Sequence, residues 1–439
     1  MKTKLLVLLG IPALLIGCSP KTPTPEPIDD GSINVSSTIP SLALGKADYE
    51  LKFSYNDNLF DEPSTTINPK LAMLSYGLSC ASGSIEEIGH FYTQLEAKDV
   101  VLSDAYEETT EHSIGYSFAH RKTDEAEIVF TTVRGFSYTE EWVDNLTIGY
   151  QGNHEGFEAC AIEIYRSLEN YLATLKTKNV KLLVTGYSRA GAVSNVLAHL
   201  ILSNTAPIVP AKDVYVYTYE APGCLLEENA PKYKNVFNMV NSADLIPMIP
   251  PTKYGFTRCG TDIDIYPEEA ETVIRRFDSD IKVPTFAPSA KYETIHEYNE
   301  YVIDFLLRDR GRYNLSERSG FVDYLEVPFG ALTGMYFSLK LETQNKLMAD
   351  VGEKSYIEIF DLLNEDNLYN FIKPYLDEDG VEYDSDSFKE NCFLVCDFIT
   401  TIINESFSEL TGLIGNISLP IFMHFPDVNY PLVANYFAN

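Results

Sequence analysis

The chain has 439 residues, 45% of them apolar and 12% aromatic, which supplies a large folded core and excludes a disordered chain. Its 33 Lys and Arg against 64 Asp and Glu leave a net charge of −31, which repels phosphate backbones and anionic lipid surfaces. No basic patch offsets that charge, so a nucleic-acid partner is excluded.

Lys2 and Lys4 precede an apolar run over 5–16. A basic start before a short apolar stretch is an export signal, too short to span a bilayer as a stable helix, and no later apolar run is long enough to do so. Leu15, Ile16, Gly17 and Cys18 resemble the lipobox of bacterial lipoproteins. The resemblance implies cleavage before Cys18, lipidation of its thiol, and anchoring to the extracytoplasmic face of a bacterial membrane. Two or more acyl chains hold firmly where one binds marginally. The segment "SPKTPTPEPIDDGS" that follows is Pro-rich and polar, as suits a spacer. Residues 1–17 are therefore read as signal peptide and 18–35 as linker, leaving 439 − 17 = 422 residues, enough for one large core or two to three domains.

Beyond the spacer, "NPKLAMLSYGLSCA" and "SIEEIGHFYTQLEA" carry apolar residues at helical spacing, the second opening with Ser84 and Glu87 in a capping-box arrangement. "HSIGYSFAHRK" and "EAEIVFTTVRG" read as strands, the second apolar enough for a sheet interior. "HEGFEACAIEIYRSLENYLATL" is an amphipathic helix, "KLLVTG" a buried strand, and residues 189–202 a second helix. Two more strands follow in "DVYVYTYEA" and "NVFNMVNSAD". Strands alternating with helices predict an α/β fold with a mostly parallel sheet covered on both faces. From about Cys259 the pattern turns to long helical segments split by acidic turns such as "LDEDG". The expected division is a core over 36–258 and 416–439, with a helical insertion, or cap, over 259–415. Six cysteines remain after Cys18 and allow fifteen pairings. Cys392 and Cys396, at i, i+4 in an apolar helical run, read as buried free thiols. No Cys/His cluster has metal-ligand spacing, so neither metal nor cofactor is expected.

The pattern G-x-S-x-A occurs twice, around Ser117 and Ser188. A nucleophile elbow needs a buried strand before the serine, a helix straight after it, and small residues on either side to avoid collision at the sharp turn. Ser117 runs into "HRKTDE", which is charged and turn-like. Ser188 follows "LLVT" and precedes a helix, with Gly186, Ala190 and Gly191 around it. An ordinary N-cap serine needs none of these small neighbours. A serine nucleophile needs a histidine and a carboxylate, each at the C-terminal end of a strand. Asp213 precedes its strand; Asp244 follows "NVFNMVN" and is the better carboxylate.

With those residues in view the chain resembles the class 3 (fungal-type) lipases of the α/β-hydrolase superfamily, in a bacterial branch with "GYSR" in place of "GHSL". "VRGFSYTEEWVDNL", with Gly135 and Trp142, is similar to the oxyanion-loop block; "VTGYSRAGAVSNVLA" to the nucleophile block; "VYVYTYEAPG" and "NVFNMVNSADLIPMIPP" to the strand and aspartate blocks. "HEGF" at His154 resembles a further signature. The likeness covers about 71–259 and the C-terminal tail, roughly half the chain. It implies a carboxylic ester hydrolase acting on ester or acyl-lipid substrates, with Ser188, Asp244 and a histidine as triad and the N–H groups of Arg189 and Phe136 as oxyanion hole. Phe136 stands where the family usually has Thr or Ser, so a supporting hydroxyl is lost. Ala190 replaces a glycine. Arg189 brings a charge where family members carry an apolar residue, which with the acidic cap suggests a substrate more polar than triglyceride.

Chain order leaves His296 and His424. Spacing from Asp244 favours His296, but that residue lies in the amphipathic segment "YETIHEYNEYVIDFLL". His424 lies in "SLPIFMHFPDVNYPLVANYF", a hydrophobic run followed by a loop and a closing helix, which resembles the ending of the bacterial branch with Tyr430 in register. His424 is preferred because a catalytic histidine needs a loop that can reach the serine. His154 is expected to order the oxyanion loop, and His90, His112, His120 and His199 to be packing or surface residues. A binding lipoprotein that keeps the scaffold without turnover is the competing reading, motivated by Phe136 and the large insertion; a peptidase on the same scaffold is a third.

Overall fold

In the computed structural model, residues 32–43, 48–107, 113–136, 140–177 and 179–438 are described. Residues 1–17, read above as a signal peptide, Cys18, most of the expected linker and His112 lie outside them. The centre is a seven-stranded sheet in the order β11-β9-β7-β6-β5-β4-β3. Its strands are β3 (Lys98–Leu102), β4 (Tyr116–Lys122), β5 (Glu127–Val133), β6 (Val180–Tyr187), β7 (Val214–Tyr219), β9 (Val236–Val240) and β11 (Thr261–Asp264). Neighbours from β5 through β6, β7 and β9 to β11 pair in parallel, and β3 and β4 are added antiparallel. This is the mostly parallel α/β sheet that the alternation of elements predicts, in the α/β-hydrolase fold that the resemblance implies.

Both faces of the sheet are covered, so β5 and β7 are buried at every position and read as continuous apolar runs. Successive side chains point to opposite faces. Leu182 and Val184 pack under α3 (Glu155–Thr174) and α4 (Arg189–Ser203). Leu183 and Tyr187 pack with α1 (Pro69–Ala81), α2 (Ile85–Gln94) and the C-terminal α13 (Ser418–Phe422) and α14 (Pro426–Ala438). Helix α1 starts at Asn68, whose side chain accepts the Leu71 N–H, with Pro69 in the first turn; ten of its thirteen residues are buried. It is buried so fully because an antiparallel pair, β1 (Ile33–Ile39) and β2 (Tyr49–Tyr55), packs on its outer side. The expected linker of 18–35 therefore ends sooner, at β1.

The core also continues past the expected boundary at 258. Strand β11 closes the sheet beside β9, and α5 (Ala270–Phe277) packs against α14. A two-residue pair, β8 (Leu225–Leu226) with β10 (Phe256–Thr257), fastens the loops after β7 and β9 together. The helical block runs through α6 (Ile295–Leu306), α7 (Arg318–Phe321), α8 (Val327–Phe337), α9 (Leu341–Glu353), α10 (Tyr356–Leu362), α11 (Glu365–Asp379) and α12 (Ser385–Asn416), with one π-turn at Val322–Glu326 between α7 and α8. It has two apolar centres. The inner one holds Tyr298, Val302, Phe398, Ile402 and Leu413 against Tyr254 and Phe256 of the core. The outer one holds Leu347, Leu376, Phe388 and Cys392. Helix α12, 32 residues long, threads both. Among the described residues no helix is long and apolar enough to cross a membrane, and no His/Cys/Asp/Glu group could hold a metal ion.

Candidate active site

Strand β6 ends at Tyr187 and α4 begins at Arg189, so Ser188 alone makes the turn, at φ 56° and ψ −127°. That backbone costs a non-glycine residue about 1–3 kcal/mol and persists only where the surroundings hold it. Here the Ser188 N–H donates to the Tyr219 carbonyl at 2.8 Å, while the Ser188 carbonyl accepts the Ala192 N–H at 3.1 Å. The turn is also crowded: a Cβ on Gly186 would sit 2.4 Å from the Ala190 carbonyl oxygen. The small neighbours read from the sequence are thus a steric requirement of the elbow. Ser117, the other serine in the same pattern, lies buried within β4 and bonds Tyr92 at 2.9 Å.

Asp244 lies beyond β9 and is wholly buried; its Oδ1 accepts the Ile246 N–H at 2.9 Å. His424 sits in the turn between α13 and α14. Its Nδ1 meets Asp244 Oδ2 at 2.5 Å and its Nε2 meets Ser188 Oγ at 2.8 Å, so Ser188, His424 and Asp244 form one hydrogen-bonded chain. His296 is elsewhere: more than half exposed on α6, its Nε2 3.6 Å from Glu300. Tyr430 packs against Phe53, Tyr76 and Phe277 in the core.

The histidine turn is held from several sides. Tyr187, next to the serine, donates its hydroxyl proton to the His424 carbonyl at 2.9 Å. Asn429 donates to the Tyr187 oxygen at 2.9 Å and to the Met423 carbonyl at 2.6 Å, and Asn241 donates to Asn429 at 2.9 Å. Tyr76 on α1 donates to the Pro426 carbonyl at 2.6 Å. Glu220, at the end of β7 with φ 48°, is buried and accepts the Asn241 N–H at 3.0 Å. Burial, followed by the charge of Asp244, raises its pKa well above the carboxylate range. Glu220 thus backs the triad aspartate.

Gly135 passes directly over the elbow, since a Cβ there would meet the Tyr187 carbonyl oxygen at 2.2 Å. Phe136 follows, its ring 5.0 Å from that of Tyr187. The Arg189 N–H belongs to the first turn of α4, where N–H groups have no acceptor within the helix. The Arg189 side chain overturns the expectation that its charge lines the substrate pocket. Its side chain is 1% exposed and its guanidinium is engaged by Glu141 at 2.6 Å and Asp144 at 3.3 Å. It therefore carries no information about the polarity of the substrate. Glu141 and Asp144 lie in the turn Glu140–Asn145, which also contains Trp142.

His154 precedes α3 and is fully buried, stacked on Phe157 at 3.8 Å. Burial lowers its pKa to about 3, so the ring is neutral. The next residues tie it to the loop below the elbow, through the Gly156 N–H on the Thr147 carbonyl at 2.9 Å. His120 is buried between Tyr171 and Glu127, His199 lies 3.4 Å from the Tyr233 hydroxyl, and His90 is exposed. The six cysteines after Cys18 are buried and form no disulfide.

A strained serine between a parallel strand and a helix, joined through histidine to an aspartate on a later strand, defines a serine hydrolase of the α/β-hydrolase fold. Residues 123–254, which hold the elbow, the aspartate and the Gly135 loop, match the family described as Lipase (class 3). That segment is similar to the family, and the protein is a lipase-like ester hydrolase with a serine triad. Among solved structures the chain is similar to the Rhizomucor miehei triacylglyceride lipase, with 15% identity over 47% of this chain and 84% of that one and a TM-score of 0.35. It is also similar to the lipase from Rhizopus microsporus var. chinensis, with 16% identity over 44% and 73% and a TM-score of 0.34. Lipase II from Rhizopus niveus has 18% identity over 44% and 76% and a TM-score of 0.31. No curated protein matches the chain.

Proposed function

We propose that the protein is an exported, lipid-anchored serine hydrolase that cleaves carboxylic esters of acyl lipids or other acylated molecules at a bacterial cell surface. The unbroken chain from Ser188 Oγ through the His424 ring to Asp244, at 2.8 and 2.5 Å, carries the catalytic part of the reading. His424 Nε2 takes the serine proton as Oγ attacks the ester carbonyl, while Asp244 fixes the tautomer and stabilises the imidazolium. The N–H groups of Arg189 and Phe136 receive the oxyanion, each such donor being worth about 10²–10³ in rate. His424 then protonates the departing alcohol, and water releases the acid by the same route.

An apolar acyl group is supported by α8, "VPFGALTGMYF", which has no charged residue, buries only Pro328 fully, and packs on the 140–145 turn. The intact triad favours turnover over an inert binding scaffold. Export and anchoring rest on the basic start, the apolar run and Cys18.

A fluorophosphonate probe, followed by a panel of esters and amides of graded chain length, tests the catalytic reading. Wild type is expected to be labelled, Ser188→Ala and His424→Ala to resist labelling, and esters to be cleaved in preference to amides. An unlabelled wild type would leave a binding protein, and preferred amides a peptidase. Incorporation of labelled palmitate, lost in Cys18→Ser, tests the anchor; no incorporation in wild type rejects it.

A further inference from the structure

We propose that the Arg189 side chain is a positioning residue for the oxyanion hole: its main chain supplies one donor and its guanidinium fixes the loop that supplies the other. The inference rests on the catalytic reading above and extends it to a group that touches no substrate.

Consider where the loop is tied. It leaves β5 at Arg134, passes Gly135 over the elbow and presents Phe136, and the turn Glu140–Asn145 lies a few residues further along the chain. Arg134 Nη2 and the Gly115 N–H, the latter at 3.1 Å, both donate to Glu141 Oε1, so one carboxylate oxygen joins the start of the loop to its end. The other oxygen, Oε2, accepts from Arg189 Nη1 at 2.6 Å. Arg189 Nη2 reaches Asp144 Oδ2 at 3.3 Å, the Ser113 carbonyl at 3.3 Å and Cys160 Sγ at 3.7 Å. Arg134 Nη2 also donates to the Ala105 carbonyl at 2.9 Å. Two guanidiniums face two carboxylates, and all four side chains are at most 4% exposed.

That arrangement is costly as a mere support for the fold. A buried ion cluster is often replaceable by apolar side chains without loss of stability. What an apolar patch does not provide is a fixed direction. A planar guanidinium bonded through two nitrogens to two carboxylates, three residues apart in one turn, restrains both the distance and the angle between that turn and α4. Oxyanion donors need such precision, because their contribution arises from being in place before charge develops. Both donors are here referred to one residue, the one next to the nucleophile. Phe136 has no side-chain hydroxyl, which leaves a backbone N–H whose placement depends wholly on the loop.

The experiment compares wild type, Arg189→Met, Arg189→Lys and Asp144→Asn on a short p-nitrophenyl ester. It also measures inhibition by an alkyl boronic acid, which adds to the serine oxygen as a tetrahedral anion, and binding of the carboxylate product. For Arg189→Met, kcat and boronate affinity are expected to fall together by about 10²–10³, the loss of one oxyanion donor. KM and product affinity stay within about two-fold, the pattern of an interaction made only in the transition state. Arg189→Lys keeps the charge but not the fork and falls between. Asp144→Asn, which leaves the Arg189–Glu141 pair in place, is expected to show the same split more weakly and serves if Arg189→Met does not fold. Folded variants that keep kcat and boronate affinity within two-fold of wild type would overturn the inference and leave the triad reading standing. A wild type that neither turns over the ester nor takes a fluorophosphonate label would remove both.

Discussion

In the hydrolase core, β7 is buried at every position, and its polar side chains are spoken for: Thr218 donates to Asn238 at 2.7 Å, and the Tyr217 hydroxyl accepts the Asn68 N–H at 3.1 Å. In the helical block, α8 has one fully buried residue in eleven, and pairs such as Lys389–Asp366 and Lys346–Glu378 join side chains that are about half exposed. The core spends its polar groups on fixing atoms, and the block spends apolar surface on covering. Catalysis needs the first, since a hydrogen-bonded triad tolerates little displacement. In the proposed function, the second would serve as a roof over acyl chains of varied shape.

The sharpest way to break this division is to remove the chemistry from the core and leave the packing alone. Ser188→Ala is expected to lower kcat by about 10⁶ with an unchanged melting curve, and His424→Ala to lower kcat as far. His296→Ala, on the surface of α6, should change neither; a loss of activity there would mean that the block supplies a catalytic group. Next in size comes the ion cluster under the elbow. Arg189→Met leaves two buried carboxylates without their common partner and is expected to cost about 3–5 kcal/mol of stability, measured by chemical denaturation. A cost near zero would show that the core's ionic groups are as dispensable as those on the block.

The same division decides what could be read from the sequence. The elbow was legible because sharp turns demand small residues at fixed offsets, and Gly186 and Ala190 stand on either side of Ser188 in the chain. Asp244 was legible from its place after a strand, and His424 from lying in a loop beside a closing helix. Arg189 was misread. A charge at the start of so apolar a helix needs buried partners, but Glu141 and Asp144 are more than forty positions away and look like any acidic turn. Glu220, Asn241 and Asn429 come from three separate segments, and no local spacing announces that they will meet. The β1–β2 pair was hidden by its neighbour: Ile33, Val35 and Ile39 are a strand pattern, but they follow directly on a Pro-rich spacer. The core's end was misplaced for a related reason, because β11 is four residues long and largely exposed.

A smaller effect tests how the core's C-terminal helix is held. Asp427, the second residue of α14, accepts the Ala43 N–H at 3.0 Å, and burial raises its pKa to about 7. An acid whose pKa is raised on folding binds its proton more tightly in the native state. Its contribution to stability is therefore full below the unfolded value near 3.9 and is lost as pH rises through about 7. Between pH 5 and 8 the loss is on the order of 2–3 kcal/mol. Denaturation at the two pH values should show Asp427→Asn losing less stability than wild type between pH 5 and 8, by this amount. Equal slopes in the two proteins would mean that Asp427 ionises in the native state as it does in water.

The smallest effect is expected from the block's surface. Lys389 Nζ lies 2.7 Å from Asp366 Oδ1 and links α12 to α11, with the two side chains 49% and 61% exposed. Water screens such a pair, and holding two long side chains in one geometry costs entropy, so Lys389→Ala should lose about 0.2–1 kcal/mol at low salt. Salt separates this pair from the cluster under the elbow. At about 1 M ionic strength the screening length falls to about 3 Å, and Lys389→Ala should converge on wild type. The Arg189→Met deficit should persist, because counter-ions do not reach a guanidinium that is 1% exposed. Of two ion pairs of similar length, one would then lose its effect in salt because it faces solvent, and the other would keep it because it is sealed in the core.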